Sequence, residues 1–221
     1  VYLNLSVKPE SSKMEPQPER EGLDIILQVA RETRVKRIAY LSSLVHFYQG
    51  TNGFHWWVFD IKKDAVAKIK NSGLHYSIFY PSAFMENLDK GGYKQGNKIM
   101  LAGKSKYGMY FIAGTDYGKQ VARALEIAGN ENQEFVIQGQ QAFTSGEVAE
   151  IFRDNYTKEK LTIAAAPLGL LKFFGLFSKK MHYTAHILEA LNEYPEKFQA
   201  EPTWEQLGKP ETTLLAYIKS L

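Results

Sequence analysis

Cysteine is absent from all 221 residues. That removes disulfide staples, thiolate nucleophiles and Cys-ligated zinc from the possible chemistries. Nothing then demands an oxidising compartment, and a cytoplasmic location is expected. Blocks of like charge are missing too. The 27 Lys and Arg against 24 Asp and Glu leave a net +3, spread along the chain apart from pairs such as Lys62-Lys63 and Lys179-Lys180. Such a distribution predicts no nucleic-acid contact. No repeat or low-complexity tract occurs. The most apolar stretch, Ala164 to Met181, is broken by Pro167, Lys172 and two glycines, so no membrane span is expected. Six β-prone residues open the chain, too few for a secretory leader. They read as a strand entered in mid-fold, with its predecessors expected upstream. What is present is 44% apolar residues, enough to build a real core.

Gly73 to Leu88 (GLHYSIFYPSAFMENL) is the stretch around which the chain is organised. Ile78, Phe79 and Tyr80 predict a buried strand. Pro81 and the polar turn to Asn87 are then expected at its carboxyl end, where open parallel sheets bind ligands. Upstream, Val1 to Ser6 reads as a strand and Val7 to Arg20, with three prolines, as an exposed loop. A helix is predicted from about Glu21 to Thr33, then a strand over Val35 to Leu44 whose tip offers Ser42 and Ser43. Val58, Ile61, Ala65 and Ile69 repeat at helical spacing between Trp56 and Ser72, and Gly73 ends that helix. Strand, helix, strand, helix, strand with short connections predicts right-handed crossovers and a parallel sheet. Downstream, Lys98 to Ala102 and Tyr107 to Ala113 suggest a hairpin. Thr115 or Asp116 would cap a helix to about Ala128, Phe135 to Gln138 would be a strand, and Thr144 with Glu147 forms a capping box for a helix through Tyr156. Beyond Leu161 the chain reads as largely helical.

Taken together, VKRIAYLSSL, DIKKDAVAKIKNSGLHYSIFYPSAFMENL, GTDYGKQVARAL and EFVIQGQQAFTSGEVAEIF resemble, in order and spacing, the NmrA-like branch of atypical short-chain dehydrogenases. The match covers roughly residues 1–152. The resemblance implies an α/β Rossmann-like parallel sheet that binds NADP or NAD, with a smaller, mainly helical C-terminal region over the nicotinamide end. Residues 1–88 would then be the C-terminal portion of the cofactor domain. Residues 89–221 would be the substrate-side region, with Rossmann elements interleaved at 115–139. Some members of the family reduce quinones or other carbonyl-type substrates, and others are non-catalytic redox sensors that bind a partner protein. A small-molecule substrate and a homodimer are the partners this implies.

Residue by residue, the family's lysine eleven positions before the glycine falls on Lys62, whose ammonium would donate to the nicotinamide ribose. Phe84, Met85, Glu86 and Asn87 match the family's aromatic-x-Glu-Asn turn against the nicotinamide. Asn4, Leu5 and Ser6 correspond to the stretch that passes the adenine ribose and diphosphate. Ser42 and Pro81, at strand tips, complete the expected cofactor contacts. Lys62 and Asn87 must then face one groove.

Two family features are not found. No glycine fingerprint or following acidic or basic residue is present, so NAD and NADP are not distinguished. The chain corresponds to the family from its fourth strand onward, and this piece alone is expected to bind cofactor poorly. The tyrosine four residues before the lysine, whose proton would go to substrate, is replaced by Val58, and by Phe59 if Lys63 is matched instead. The catalytic acid is therefore unassigned, with Tyr80 and Ser43, then Tyr48 and His55, able to stand near a nicotinamide. The same absence argues against a sugar-nucleotide epimerase. His182 and His186 have the i, i+4 spacing of metal ligands, but Tyr183 stands where a zinc protease needs Glu and no third ligand is evident, so no metal is expected. Gly103 to Gly108 lacks the Lys and Ser/Thr of a phosphate loop. Leu170, Phe173, Phe174 and Phe177 are expected to wall a substrate pocket or dock on the sheet, with membrane-surface contact as the alternative.

Overall fold

The computed structural model describes residues 1–221. In chain order the first elements are β1 (Tyr2–Leu3), α1 (Leu23–Glu32), β2 (Arg37–Leu41), α2 (Trp57–Lys70) and β3 (His75–Pro81). Then come β4 (Lys94–Gln95), β5 (Lys98–Ala102), α3 (Gly114–Glu126), β6 (Gln133–Ile137) and α4 (Ser145–Asn155). The last are β7 (Thr162–Ala166), α5 (Leu168–Gly175), α6 (Lys179–Glu193), α7 (Glu201–Leu207) and α8 (Leu214–Ser220). The fold is α/β, with a four-stranded parallel sheet in the order β1-β2-β3-β6.

Side chains alternate across a strand, and β3 shows what that does here. Ile78 and Tyr80 join Leu3, Ile38 and Tyr40 on one face, under Leu23 and Leu27 of α1 and Ala65, Val66 and Ile69 of α2. Phe79 points the other way, to a core with Ala39, Phe135, Ile137 and, from α3, Tyr117 and Ala124. Helices α1 and α2 thus share one face, as right-handed crossovers advancing in one direction require. The stripe Val58, Ile61, Ala65, Ile69 is buried as its spacing predicts. After α2 the chain turns at Gly73, whose φ of +76° is a conformation that a Cβ disfavours.

Several expectations are corrected. Tyr107 to Ala113 does not form a hairpin with Lys98–Ala102. Strand β5 pairs antiparallel with β4 and parallel with β7 in a second, three-stranded sheet. Met109, Phe111, Ile112 and Ala113 are all buried, and four apolar residues so close together need cover on both sides, which a free hairpin cannot give. The segment instead crosses the carboxyl end of β3, where the Ile112 amide donates to the Ala83 carbonyl and the Met85 amide to the Ile112 carbonyl. Asp116 is not the cap of α3. The N-cap is Ala113, and Asp116 accepts from the amides of Glu211 and Thr212. The predicted exposed loop 7–20 is partly interior: Val7, Gln17 and Glu19 are buried, the last at the wide helical turn Pro18–Gly22. The Thr144–Glu147 capping box is present in both directions.

Candidate functional site

The polar centre of the site lies on the α1/α2 face, just past β1. Lys62 Nζ donates to Glu19 Oε1 at 2.5 Å and to the Leu5 carbonyl at 3.4 Å. Tyr40 OH donates to the same Glu19 oxygen at 2.6 Å. Lys62 is in place because the apolar stripe of α2 fixes that helix on the sheet, and Glu19 because the turn after Pro18 folds it inward. The Glu19 side chain is fully buried and Lys62 keeps 15% exposure. One ammonium proton beyond these two contacts is available for donation. Glu19 Oε2 and, two residues earlier, Gln17 Oε1 are buried without a partner. A buried acceptor left unpaired is costly. The Tyr40 phenol is pushed strongly upward by burial and then by the Glu19 charge beside it.

The Phe84 to Asn87 turn bends to the opposite face. Phe84 packs edge-on against Tyr117 of α3, with centroids 5.2 Å apart. Both Glu86 oxygens accept from the Gly114 amide, at 2.9 and 3.1 Å, at the start of α3. Met85 is buried in a core with Phe111 and Leu214. Only Asn87 is exposed with its side chain free of protein partners. The structure therefore brings Lys62 together with Leu5 and not with the turn. A ligand reaching both would have to cross the carboxyl edge of the sheet.

The remaining candidates divide by burial. Asn4 and Ser6 are exposed beside β1, while Ser42 and Pro81 are buried and extend the ladder, through Ser42 N to Phe79 O and Leu44 N to Pro81 O. Ser42 Oγ lies 3.5 Å from His46 Nδ1. Burial pushes the His46 imidazole down to about 4, so it is neutral at pH 7. Tyr80 donates to Glu134 at 2.8 Å, and burial first, then that bond, raises its phenol well above the usual range. Tyr48 is buried against Phe54, Ser43 is half-buried and His55 is exposed.

Beside the polar centre opens a cavity of about 330 Å³ lined by Trp56, Trp57, Phe177, His182, Tyr183 and Lys13 among others. Burial, and secondarily the Glu19 charge, raises the Tyr183 phenol. His186 stacks on Trp56 with centroids 5.6 Å apart, and its Nδ1 bonds the His182 carbonyl. His186 thus packs on Trp56, while His182 is exposed at the cavity wall. All four predicted wall residues stand substantially exposed, and of them Phe177 also lines the cavity. Glu19, Gln17, Trp56, Trp57 and Tyr183 are the residues that sequence reasoning missed. Glu196 is another. It accepts from Ser82, which follows β3, at 2.9 Å and from Gln138, which follows β6, at 2.6 Å. Burial raises its carboxyl despite those two bonds.

No family model matches the sequence. Solved structures do match its fold. A nucleoside-diphosphate-sugar epimerase from Staphylococcus aureus aligns with TM-score 0.69 at 13% identity, over 99% of this chain and 75% of the other. Citrobacter sp. triphenylmethane reductase complexed with NADP(H) aligns with TM-score 0.67 at 15% identity, over 90% and 70%. An NADPH-dependent quinone oxidoreductase from Escherichia coli complexed with NADPH aligns with TM-score 0.66 at 19% identity, over 96% and 74%. At these identities the likeness is one of fold. The chain has the Rossmann-like α/β fold of these reductases and epimerases. This agrees with the fold that the resemblance to the short-chain dehydrogenases implies.

Proposed function

We propose that the protein is an NAD(P)-dependent oxidoreductase that passes hydride to a small quinone- or carbonyl-type acceptor. The observation that carries this reading is the aromatic cavity beside the Lys62–Glu19 pair at the carboxyl edge of a parallel sheet. In this reading the division at residue 88, with 115–139 interleaved, leaves most of the cofactor side in residues 1–88, while the acceptor cavity draws Trp56 and Trp57 from that part and Phe177 and Tyr183 from the other.

The residues present fit the ribose and nicotinamide part of the cofactor. Lys62 keeps 15% exposure and has a proton to donate, which suits a ribose hydroxyl. Lys62 would hold that hydroxyl, oriented from behind by the buried Glu19, with the Leu5 carbonyl and the exposed Asn4 and Ser6 flanking it. Asn87 is the member of its turn free to reach a carboxamide. When bound, reduced nicotinamide supplies the hydride. The chain's own task is to lay a planar acceptor between Trp56, Trp57 and Tyr183 and to keep water from the reacting face. Val58 has no proton to give, and Tyr80 and His46 are poor donors at neutral pH, so the proton comes from solvent. An acceptor that is readily reduced by hydride alone, such as a quinone, suits that arrangement.

Steady NAD(P)H oxidation with a panel of quinones tests the reading, and Tyr183→Phe with Trp57→Ala should raise KM for the acceptor. The replacement of the family's tyrosine by Val58 favours a second reading, a dinucleotide sensor without turnover. Saturable NAD(P)H binding with no oxidation of any acceptor selects it.

A further inference from the structure

Helices α5 and α6 form a hairpin that turns its most apolar residues outward. Leu176 and Phe177, in the connection, are 75% and 78% exposed. Leu170, Phe173 and Phe174 on α5 and Met181 on α6 extend the same patch. The Phe173 ring lies 5.7 Å from both Phe174 and Phe177, so the three rings form one continuous surface. Contiguous apolar patches of this kind mark an interaction site.

Charge identifies what covers it. No Asp or Glu occurs from Leu161 to Leu188, whereas Lys172, Lys179 and Lys180 do, and Lys13 stands across the cavity mouth from the tip. Lys172 pairs with Glu189 at 2.6 Å and Lys179 with Glu15 at 3.3 Å. Lys180 and Lys13 have no acidic partner. An apolar tip bordered by lysines, of which Lys13 and Lys180 are unpaired, matches the boundary between acyl chains and anionic headgroups. Lysine stems lie along the apolar region while their ammonium groups stay at the phosphates. No helix is long and apolar enough to cross a membrane, so the contact is made in the interface.

We propose that the α5–α6 tip docks on an anionic lipid surface, with Leu176 and Phe177 inserted and Lys13 and Lys180 at headgroup level. Leu176, Phe177 and Lys179 also line the aromatic cavity, so docking turns the cavity mouth toward the bilayer. A lipid-dissolved acceptor then enters without crossing water. This last consequence rests on the quinone-type reading, and the docking itself does not.

Flotation of the full chain tests it, comparing pure phosphatidylcholine vesicles with vesicles containing about one-third phosphatidylglycerol. The expected partitioning favours the anionic vesicles by roughly tenfold and falls several-fold in high salt. Leu176→Glu with Phe177→Glu lowers it by about tenfold or more, and Lys180→Glu by about fivefold. All three residues are exposed, so an unchanged thermal midpoint verifies folding. The proposal is overturned by absence of binding to either vesicle, or by equal flotation of parent and double variant. It is equally overturned if the substitutions abolish self-association in sedimentation while no vesicle binding is seen, which makes a second copy the occupant. Flotation needs no dinucleotide and dinucleotide binding needs no vesicle, so either reading can fail alone.

Discussion

Two glutamates near the carboxyl edge of the sheet are treated in opposite ways. Glu86 gives both oxygens to the Gly114 amide at the start of α3, where a carboxylate also meets the positive end of the helix dipole. Glu19 gives one oxygen to both Lys62 and Tyr40 and leaves the other buried without a donor. The Glu86 carboxylate has its partners within the chain and serves the fold. The Glu19 group is fully buried and incompletely paired, and it fixes Lys62, the member of the pair that keeps some exposure. A motif that places Glu86 at the nicotinamide and a loop that hides Glu19 thus exchange importance once contacts are known.

The largest effect should come from the incompletely paired side. Lys62→Ala leaves a fully buried carboxylate without its cation and should cost about 3 kcal/mol in denaturant unfolding. Replacing the whole group, Lys62→Met with Glu19→Leu and Tyr40→Phe so that no buried donor is orphaned, should recover most of that loss while removing the ribose contact. A triple variant that is as unstable as the single one would show that the pair is needed for the fold and would erase the contrast. On the satisfied side, Glu86→Ala should cost about 1–2 kcal/mol, as loss of a helix cap does. Hydrogen exchange should show lost protection at the Gly114 amide and the first turn of α3. Thr144→Ala, which breaks the capping box of α4 and removes no bond of Glu19 or Glu86, should cost about 1 kcal/mol and calibrate the comparison.

The smallest effect is one of pH. Burial holds the Glu196 carboxyl above its ordinary value, so the folded chain binds that proton more tightly than the unfolded chain. The stability this contributes is full below the ordinary glutamate range and is lost as pH rises through the raised value. Glu196→Gln should flatten that loss in thermal midpoints measured across the acid-to-neutral range. A pH profile identical to that of the parent would contradict the assignment.

How much of this was legible beforehand follows from the range of the interactions. Strand β3 and helix α2 were readable because Ile78, Phe79 and Tyr80 and the stripe from Val58 to Ile69 carry their own period. The Thr144–Glu147 box was readable because it spans three residues. The Lys62–Glu19 pair is separated by 43 residues, and nothing local distinguishes Glu19 from its solvated neighbours in a proline-rich stretch. The pairing of β5 with β7 joins Ile99 to Ile163 and was hidden for the same reason. The hairpin expected in its place satisfied local turn rules and failed on burial. At Tyr183 the local sequence shows only the absence of a metalloprotease Glu, since the tyrosine's role depends on α6 lying over the start of α2.

The most direct test of the central contrast is a two-dimensional NMR titration of the chain with nicotinamide mononucleotide, which carries the ribose and nicotinamide without the adenosine half. Saturable shifts are expected at the backbone of Leu5 and Lys62 and the indole of Trp57, with the Gly114 amide unmoved. Shifts centred on Gly114 and Asn87, with Lys62 and its neighbours silent, would contradict that contrast.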